Sequence, residues 1–289
     1  MMKKSRKPRK NSQFSIILRQ LVKNRLAVIG FFILLVVVLS AVFAGYLAPY
    51  PYAEQDLLHT LQGPSAEHWM GTDNLGRDLF SRLLYGGRIS LIIGFCATLL
   101  AAFLGMAIGI ISGYFGGKVD VLLMRFVDIY TCIPSLVMAI ALSAVLGVGV
   151  VNSILAIGIS NMGGFARMMR IQFLAVRDKE YVEAARATNA SDLKIIFQYM
   201  LPNAIAPLIV NITMSIGIFI MQAASLSFIG LGAQPPVPEW GAILSEGRKY
   251  MRGHMYLVLF PGICIMLTIL SCNLFGDGLR DALDPRLRD

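Results

Sequence analysis

In the middle of a chain dominated by apolar side chains stands EYVEAARATNASDLKIIFQYMLPN, Glu180 to Asn203, with Asp178, Glu180, Glu183, Arg186, Asp192 and Lys194 in or just before it. The stretch pairs no nucleophile with a base, so the chemistry it offers is recognition. On a helix Tyr181, Ala184, Ala185 and Thr188 fall at i, i+3, i+4 and i+7 and share a face. Small residues at Ala184, Ala185 and Ala187 let another backbone approach closely. Glu183 and Arg186, three apart, can pair with each other or with a partner. Asn189 suits a left-handed helix terminator. Ser191 is placed to cap a second short helix over Asp192–Met200, with Asp192 at its positive end. Pro202 falls where the next apolar run begins. Spacing alone leaves two readings equally open, a solvated helix-turn-helix and a handle gripped by another protein.

A second set of polar residues lies inside an apolar run. Asn211, Ser215, Gln222 and Ser225 fall within about 40° of one line on a helix at 100° per residue. Polar residues in a membrane helix mark a solute path or glue helices together. A stripe of this neutral kind suits a solute passed along rather than held. Gly105 and Gly109 form G-x-x-x-G, a close-packing signal that does not say whether the neighbour is this chain or another. Arg125 and Asp128, three apart, are expected to form an interfacial ion pair.

Catalytic motifs are missing. The nearest string to the phosphate-cradling G-x-x-x-x-G-K-[ST] is SGYFGGKV, with Ser112 and Val119 at two required positions. ATP and its Mg are therefore expected on another chain, with no cofactor and no metal held here. His59, His68 and His254 are expected at the surface of loops. Cys96, Cys132, Cys264 and Cys272 sit in apolar runs without C-x-x-C spacing, so they read as small hydrophobes.

The elements that position these groups follow from composition. Of 289 residues 56% are hydrophobic and 15% charged, against roughly 25% charged in soluble domains, so a bilayer is the natural solvent. The net charge of +9 is concentrated at the start: nine basic residues precede Leu26, MMKKSRKPRK has no interleaved aromatics, and a long apolar run follows. That pattern marks a membrane anchor and argues against nucleic acid.

A span needs about 20 apolar residues. Six are expected, near Ala27–Ala48, Ile89–Gly117, Val121–Leu146, Val151–Met168, Ala204–Leu231 and Met255–Gly276. With the N-terminus inside, 20 of the 26 basic residues fall on the cytoplasmic side, which fixes both termini and the Glu180–Asn203 segment there. The 49–88 loop and the proline-bearing 232–254 loop then lie outside, where Pro235, Pro236 and Pro238 favour an ordered turn.

The segment resembles the EAA loop of binding-protein-dependent ABC importer permeases, E-A-A, three residues, G, nine residues, I-x-L-P. Glu183, Ala184, Ala185, Leu201 and Pro202 match, while Asn189 stands for the glycine and Tyr199 for the isoleucine. Asn tolerates positive φ, so the turn should survive. HWMGTDNLGRDLFSRLLYGGRISL (68–91), SFIGLGAQPPVPEWGAIL (227–244), FGDGLRDALDPRLRD (275–289) and the NRLAVIG before the first span look like the second permease subunit of dipeptide/oligopeptide/nickel importers. The likeness covers nearly the whole chain.

That resemblance implies an all-α, type I ABC importer half-channel in a bacterial inner membrane. It divides the chain into a basic tail (1–26), a first transmembrane helix (27–48), an outer cap (49–88), a five-helix core (89–277) with a coupling loop (178–203), and a C-terminal tail (278–289). Tyr181, Glu183, Ala184, Ala185, Arg186, Asn189, Leu201 and Pro202 would form the coupling site, and Asn211, Ser215, Gln222 and Ser225 the translocation path. The implied partners are a second homologous permease, two ATPases, an external binding protein and a di- or oligopeptide. Nickel complexes or glutathione- and opine-like solutes are the alternative cargo. A stand-alone secondary transporter lacks the buried carboxylates that ion coupling uses and leaves the charged segment unexplained. An intramembrane enzyme is disfavoured by the absence of His or paired carboxylates inside the spans.

Overall fold

The computed structural model describes residues 19–283. Residues 1–18, with most of the basic tail, and residues 284–289 lie outside the described part. Among the described residues the chain is helical, with a single isolated bridge between Thr72 and Asp78.

Helix α1 (Arg25–Val42) starts where the Asn24 side chain accepts from the Leu26 and Ala27 amides, and a short α2 (Ala44–Leu47) follows. Helix α3 (Leu79–Phe115) is 37 residues long. It begins ten residues before the expected Ile89, because the Asp78 side chain caps it by accepting from the Ser81 amide at 2.7 Å. The charged residues Arg82 and Arg88 are thus carried on the helix itself. The expected third span is two helices, α4 (Gly117–Thr131) and α5 (Ser135–Leu146), bent by 83°. Pro134 explains the break, since it lacks an N–H and disfavours helical geometry at Ile133.

Gly147 and Gly149, at φ 89° and 129°, turn the chain into α6 (Val150–Arg177). Then come α7 (Glu180–Ala187), a one-turn α8 (Asp192–Lys194), a π-helical segment (Ile195–Met200), α9 (Leu201–Ala204), α10 (Ala206–Phe228), α11 (Trp240–Gly247) and α12 (Tyr256–Leu283). Four of these, α1, α3, α10 and α12, are long and apolar enough to cross a membrane, and the bent α4–α5 pair would make a fifth. Helix α6 is not among them.

The central interface joins α3 to α6. A Cβ at Gly109 would lie 2.5 Å from the Ala166 carbonyl and one at Gly113 2.6 Å from Phe173 Cβ, so the neighbour of the G-x-x-x-G face is this chain's own α6. Phe165, Met169 and Phe173, one helical turn apart on α6, are buried along it. Asp128 does not pair with Arg125. Its carboxylate lies 3.3 Å from Arg167 of α6, both groups well exposed, because α4 lies alongside α6 there. Such an exposed pair is worth under about 1 kcal/mol.

At the end of the bundle where α3 begins, residues 49–78 fold as a turn-rich cap. Arg77 and Arg82 are buried and share Asp73 and Glu246 of α11, with Arg77 Nε 2.6 Å from Asp73 and Nη2 2.8 Å from Glu246. Trp240 Nε1 donates to the Leu83 carbonyl at 2.9 Å, and the fully buried Glu239 accepts from Ser90 Oγ at 2.9 Å. The cap, α3 and α11 thus form one hydrogen-bonded unit. The proline-bearing loop between α10 and α11 is an ordered turn with a cis Pro235–Pro236 bond.

Candidate functional site

Helix α7 is held by one narrow side. Val182 and Ala185 are buried, while Tyr181, Glu183, Ala184, Arg186 and Thr188 are exposed. The expected common face of Tyr181, Ala184, Ala185 and Thr188 is therefore split. At about 100° per residue the buried arc centres between Val182 and Ala185, which turns Ala184 and Tyr181 outward. Partial desolvation still raises the Tyr181 phenol above its ordinary pKa of 10.0.

The turn after α7 is a Schellman motif. The Asn189 amide donates to the Arg186 carbonyl at 2.9 Å and the Ala190 amide to Ala185 at 3.1 Å, with Asn189 at φ 57°. Asn189 thus occupies the left-handed position that the EAA pattern gives to glycine. Ser191 precedes α8 as expected, but its side chain makes no cap bond. Its backbone carbonyl accepts from Ile195 at 3.0 Å instead. Asp192 turns aside to accept from Tyr114 Oη at 2.6 Å, tying the segment to α3.

Beyond Lys194 the expected α-helix widens into π geometry. Pro202 supplies no N–H and its ring crowds the carbonyl four residues back. The Leu201 amide donates five residues back to Ile196, the i to i−5 pattern of a π-turn. The widened turn buries Ile195, Ile196 and Met200. Full burial of each such side chain is worth about 1.5–3 kcal/mol, and they join Val182, Ala185 and Phe173 in one cluster. Nearby, Arg170 grips Asp120 with Nε at 2.5 Å and Nη2 at 2.6 Å, and Ser112 donates to the same carboxylate.

The outward side of this segment is open to solvent among the described residues. Glu183 and Arg186 are exposed and make no ion pair with each other. Leu193 is 69% exposed and Phe197 57%. Two large apolar side chains four residues apart, ringed by charges, form a contact surface facing away from the core.

The α10 residues divide among different surroundings. Asn211 lines a cavity of about 590 Å³ together with Gln172, Asn203 and Arg280. Ser215 is buried. Gln222 accepts from Asn161 Nδ2 of α6 at 2.9 Å and donates to Ser135 Oγ of α5 at 3.3 Å. Ser225 is half-buried and donates to its own helix at Met221, beside a separate, mostly apolar cavity of about 330 Å³. Among the described residues the cavities beside Asn211 and Ser225 are separate.

At the opposite end of the bundle His59 is exposed and 2.6 Å from Asp56, which raises the His59 pKa above 6.5 and lowers that of Asp56 below 3.8. His68 departs from the surface expectation. It is largely enclosed between the Tyr50 ring and Asp78, 2.9 Å away.

Residues 105–289, covering the α3–α6 interface, the charged segment and α10–α12, match the family described as binding-protein-dependent transport system inner membrane component. The chain belongs to that family. Residues 12–64 match the N-terminal TM domain of oligopeptide transport permease C. The dipeptide transport system permease protein of Alkalihalophilus pseudofirmus is 46% identical over 93% of this chain and 89% of its own length. The glutathione transport system permease protein of Pectobacterium atrosepticum is 43% identical, over 93% and 90%. The di/tripeptide transport system permease protein of Pseudomonas aeruginosa is 42% identical, over 92% and 90%. The inward-facing MetNI methionine ABC transporter shares the fold, with a TM-score of 0.58 at 18% identity, over 71% of this chain and 98% of that one.

The protein is thus a permease subunit of an ABC importer. In the permease Tyr181, Glu183, Ala184 and Arg186 are all exposed on α7 above the buried Ala185, and the exposed Asn189 and Pro202 shape the turns that follow. Leu201 is only partly buried, against the same core. Sequence reasoning missed Leu193 and Phe197. Their signal was present, two apolar residues at i and i+4 with Asp192 and Lys194 on either side of the first.

Proposed function

We propose that this permease forms half of a pore for short peptides and that the surface around Glu183, Ala184, Leu193 and Phe197 is where a cytoplasmic ATPase docks. The observation that carries the reading is a set of exposed charged and apolar side chains, Glu183 and Arg186 on α7 and Leu193 and Phe197 just beyond it, on a segment fixed to the main core by Val182, Ala185 and Ile195. A loose loop would dissipate an applied force, whereas this one is cemented to α6 and α3. On this reading the chain crosses a bacterial inner membrane six times, counting α6, with both termini cytoplasmic. A second homologous permease completes the pore, two ATPases hold the ATP and Mg, and an external binding protein delivers the cargo.

The cargo class rests on the relatives. Those named above are described for dipeptides, di/tripeptides and glutathione, itself a tripeptide. A short peptide is their common denominator, and nickel complexes are the competing cargo. The test is isolation of the tagged permease from native membranes in mild detergent, with mass spectrometry of what accompanies it. A second permease and one or two ATPases are expected, together with uptake of a labelled dipeptide that excess unlabelled peptide abolishes. A chain recovered alone that still catalyses uptake would overturn the coupling reading. Uptake of nickel that peptides do not compete would overturn the cargo reading alone.

A further inference from the structure

Between α1, α3, α10 and α12 runs a cavity of about 690 Å³ whose wall is apolar apart from Arg88 and Thr213, the Thr213 hydroxyl donating to its own helix at Ile209. Val38 and Val42 of α1 and Ile92 and Phe95 of α3 line it and are exposed along its open side. Phe275 of α12 closes it deep in the bundle, and Arg88 stands at the other end. The size is in the range of about 300–1,000 Å³ typical of small-molecule sites. The walls belong to four helices that are all long and apolar enough to cross the membrane.

Arg88 sets the level and the charge. Its Nε donates to the Ala41 carbonyl at 3.1 Å and its Nη2 to Val42 at 2.8 Å, so it closes the C-terminal end of α1. Among the described residues two of its five N–H donors are used and it makes no ion pair. Its guanidinium lies 5.6 Å from the Tyr85 ring, and Tyr85 packs on Tyr52 at 5.0 Å. Tyr46, 90% exposed, lies just beyond α1. Tyrosines gathered with one arginine at a helix end mark the headgroup level of a bilayer. The groove thus starts at headgroup level under a cation with spare donors and descends into the hydrocarbon.

We propose that this groove is a binding site for one anionic phospholipid of the surrounding membrane, its phosphate on Arg88 and an acyl chain in the groove. A groove open to the bilayer is filled by whatever lines the protein there, and the apolar wall accepts a chain at no polar cost. A helix of the second permease could fill the same space. It would then have to leave Arg88 with three unsatisfied donors in a low-dielectric setting or bring a carboxylate to that level. A phospholipid supplies the anion and the apolar tail in one molecule, with the spacing that the groove presents.

The transporter complex containing this chain is purified, stripped of loosely held lipid, and offered nanodiscs of phosphatidylglycerol or of phosphatidylcholine, with retained lipid counted by native mass spectrometry. The wild type is expected to keep one phosphatidylglycerol per chain and to prefer it to phosphatidylcholine about fivefold, as one basic residue near an anionic surface would give. Val38→Trp, on an exposed wall position, should expel the lipid without lowering the melting temperature. Arg88→Gln should abolish the preference, and Arg88→Lys, which keeps the charge but loses the fork to Ala41 and Val42, should retain it. Equal retention of both lipids by the wild type, or an unchanged count in Val38→Trp, overturns the site. A photoreactive residue at position 38 that crosslinks to the second permease instead of to lipid overturns it as well.

Discussion

Glu183→Lys separates a docking surface from a solvated helix. The Glu183 side chain is exposed and makes no hydrogen bond or ion pair among the described residues, so folding should depend on it little. It lies in the first turn of α7, where a carboxylate gains about 0.3–1 kcal/mol from the helix dipole, and that sets the upper scale of the folding cost. At an interface the change is larger, since a like charge set against a basic partner surface costs several kcal/mol. Taking about 2 kcal/mol as a floor, ATPase affinity should fall about 30-fold. Ala184→Trp, also on the exposed face, should behave alike. Ala185→Leu is the contrast, because Ala185 is 4% exposed and overpacking costs about 1–3 kcal/mol. It should lower the melting temperature before it touches affinity. The assay is ATPase binding and stimulated ATP hydrolysis in nanodiscs, beside a thermal melt of the permease alone. Normal binding and hydrolysis with Glu183→Lys would refute the docking reading. A melt as depressed as that of Ala185→Leu would refute the claim that the side chain is free.

Three further outcomes follow from the geometry. Asn189→Gly should keep the α7 turn and full coupling, whereas Asn189→Val, forced into φ near 57°, should cost about 1–2 kcal/mol and lower coupled ATP hydrolysis. A melt that ranks the two alike would contradict the Schellman assignment. Gln222→Leu removes the bonds to Asn161 and Ser135, worth about 0.6 kcal/mol each in a membrane. It should lower peptide uptake while sparing assembly, and unchanged uptake would leave Gln222 a packing residue. His59 should titrate above 6.5, followed by NMR of its ring. Its raised pKa means that its contribution is present below 6.5 and lost as pH rises through the shifted value. The lowered Asp56 pKa means that its contribution is present above 3.8 and lost as pH falls through the shifted value. The contact is therefore strongest between those limits, and a His59 midpoint that Asp56→Asn fails to lower would remove the pair.

How much was legible depended on whether a local rule or a distant neighbour decided the outcome. Asn189 was readable because left-handed backbone at a helix end is a property of one residue type. The break at Gly147–Asn152 was readable for the same reason. The π-turn before Pro202 was not, because it depends on how a proline ring meets a turn that must also bury Ile195 and Met200 at once. The start of α3 was obscured by charges at Arg82 and Arg88. They look like loop residues until Asp73, Glu246 and the α1 carbonyls come within reach, and those partners lie up to 164 residues away in sequence. The stripe on α10 was a true periodicity, yet periodicity cannot tell a solute path from an inter-helical bond. Gln222 shows the second and Asn211 faces open space.

The same distinction bears on how a push at α7 could reach the far end of the molecule. Val182 and Ala185 lie in one buried cluster with Met169 and Phe173 of α6, so α7 cannot shift without opening close-packed core. Helix α6 in turn lies against glycines of α3, where even one added Cβ would meet backbone. Helix α3 then ends in the Arg82–Asp73–Glu246 cluster and the Trp240 and Glu239 bonds to α11. Each joint is rigid for a different reason, apolar packing at the first, backbone contact at the second and buried charge at the third. The sharp bend in the bundle lies outside this line, at the 83° break between α4 and α5. A displacement imposed at α7 would therefore meet close packing at α6 and at α3 in turn, while the α4–α5 break, where Gln222 bonds Ser135, lies off that line.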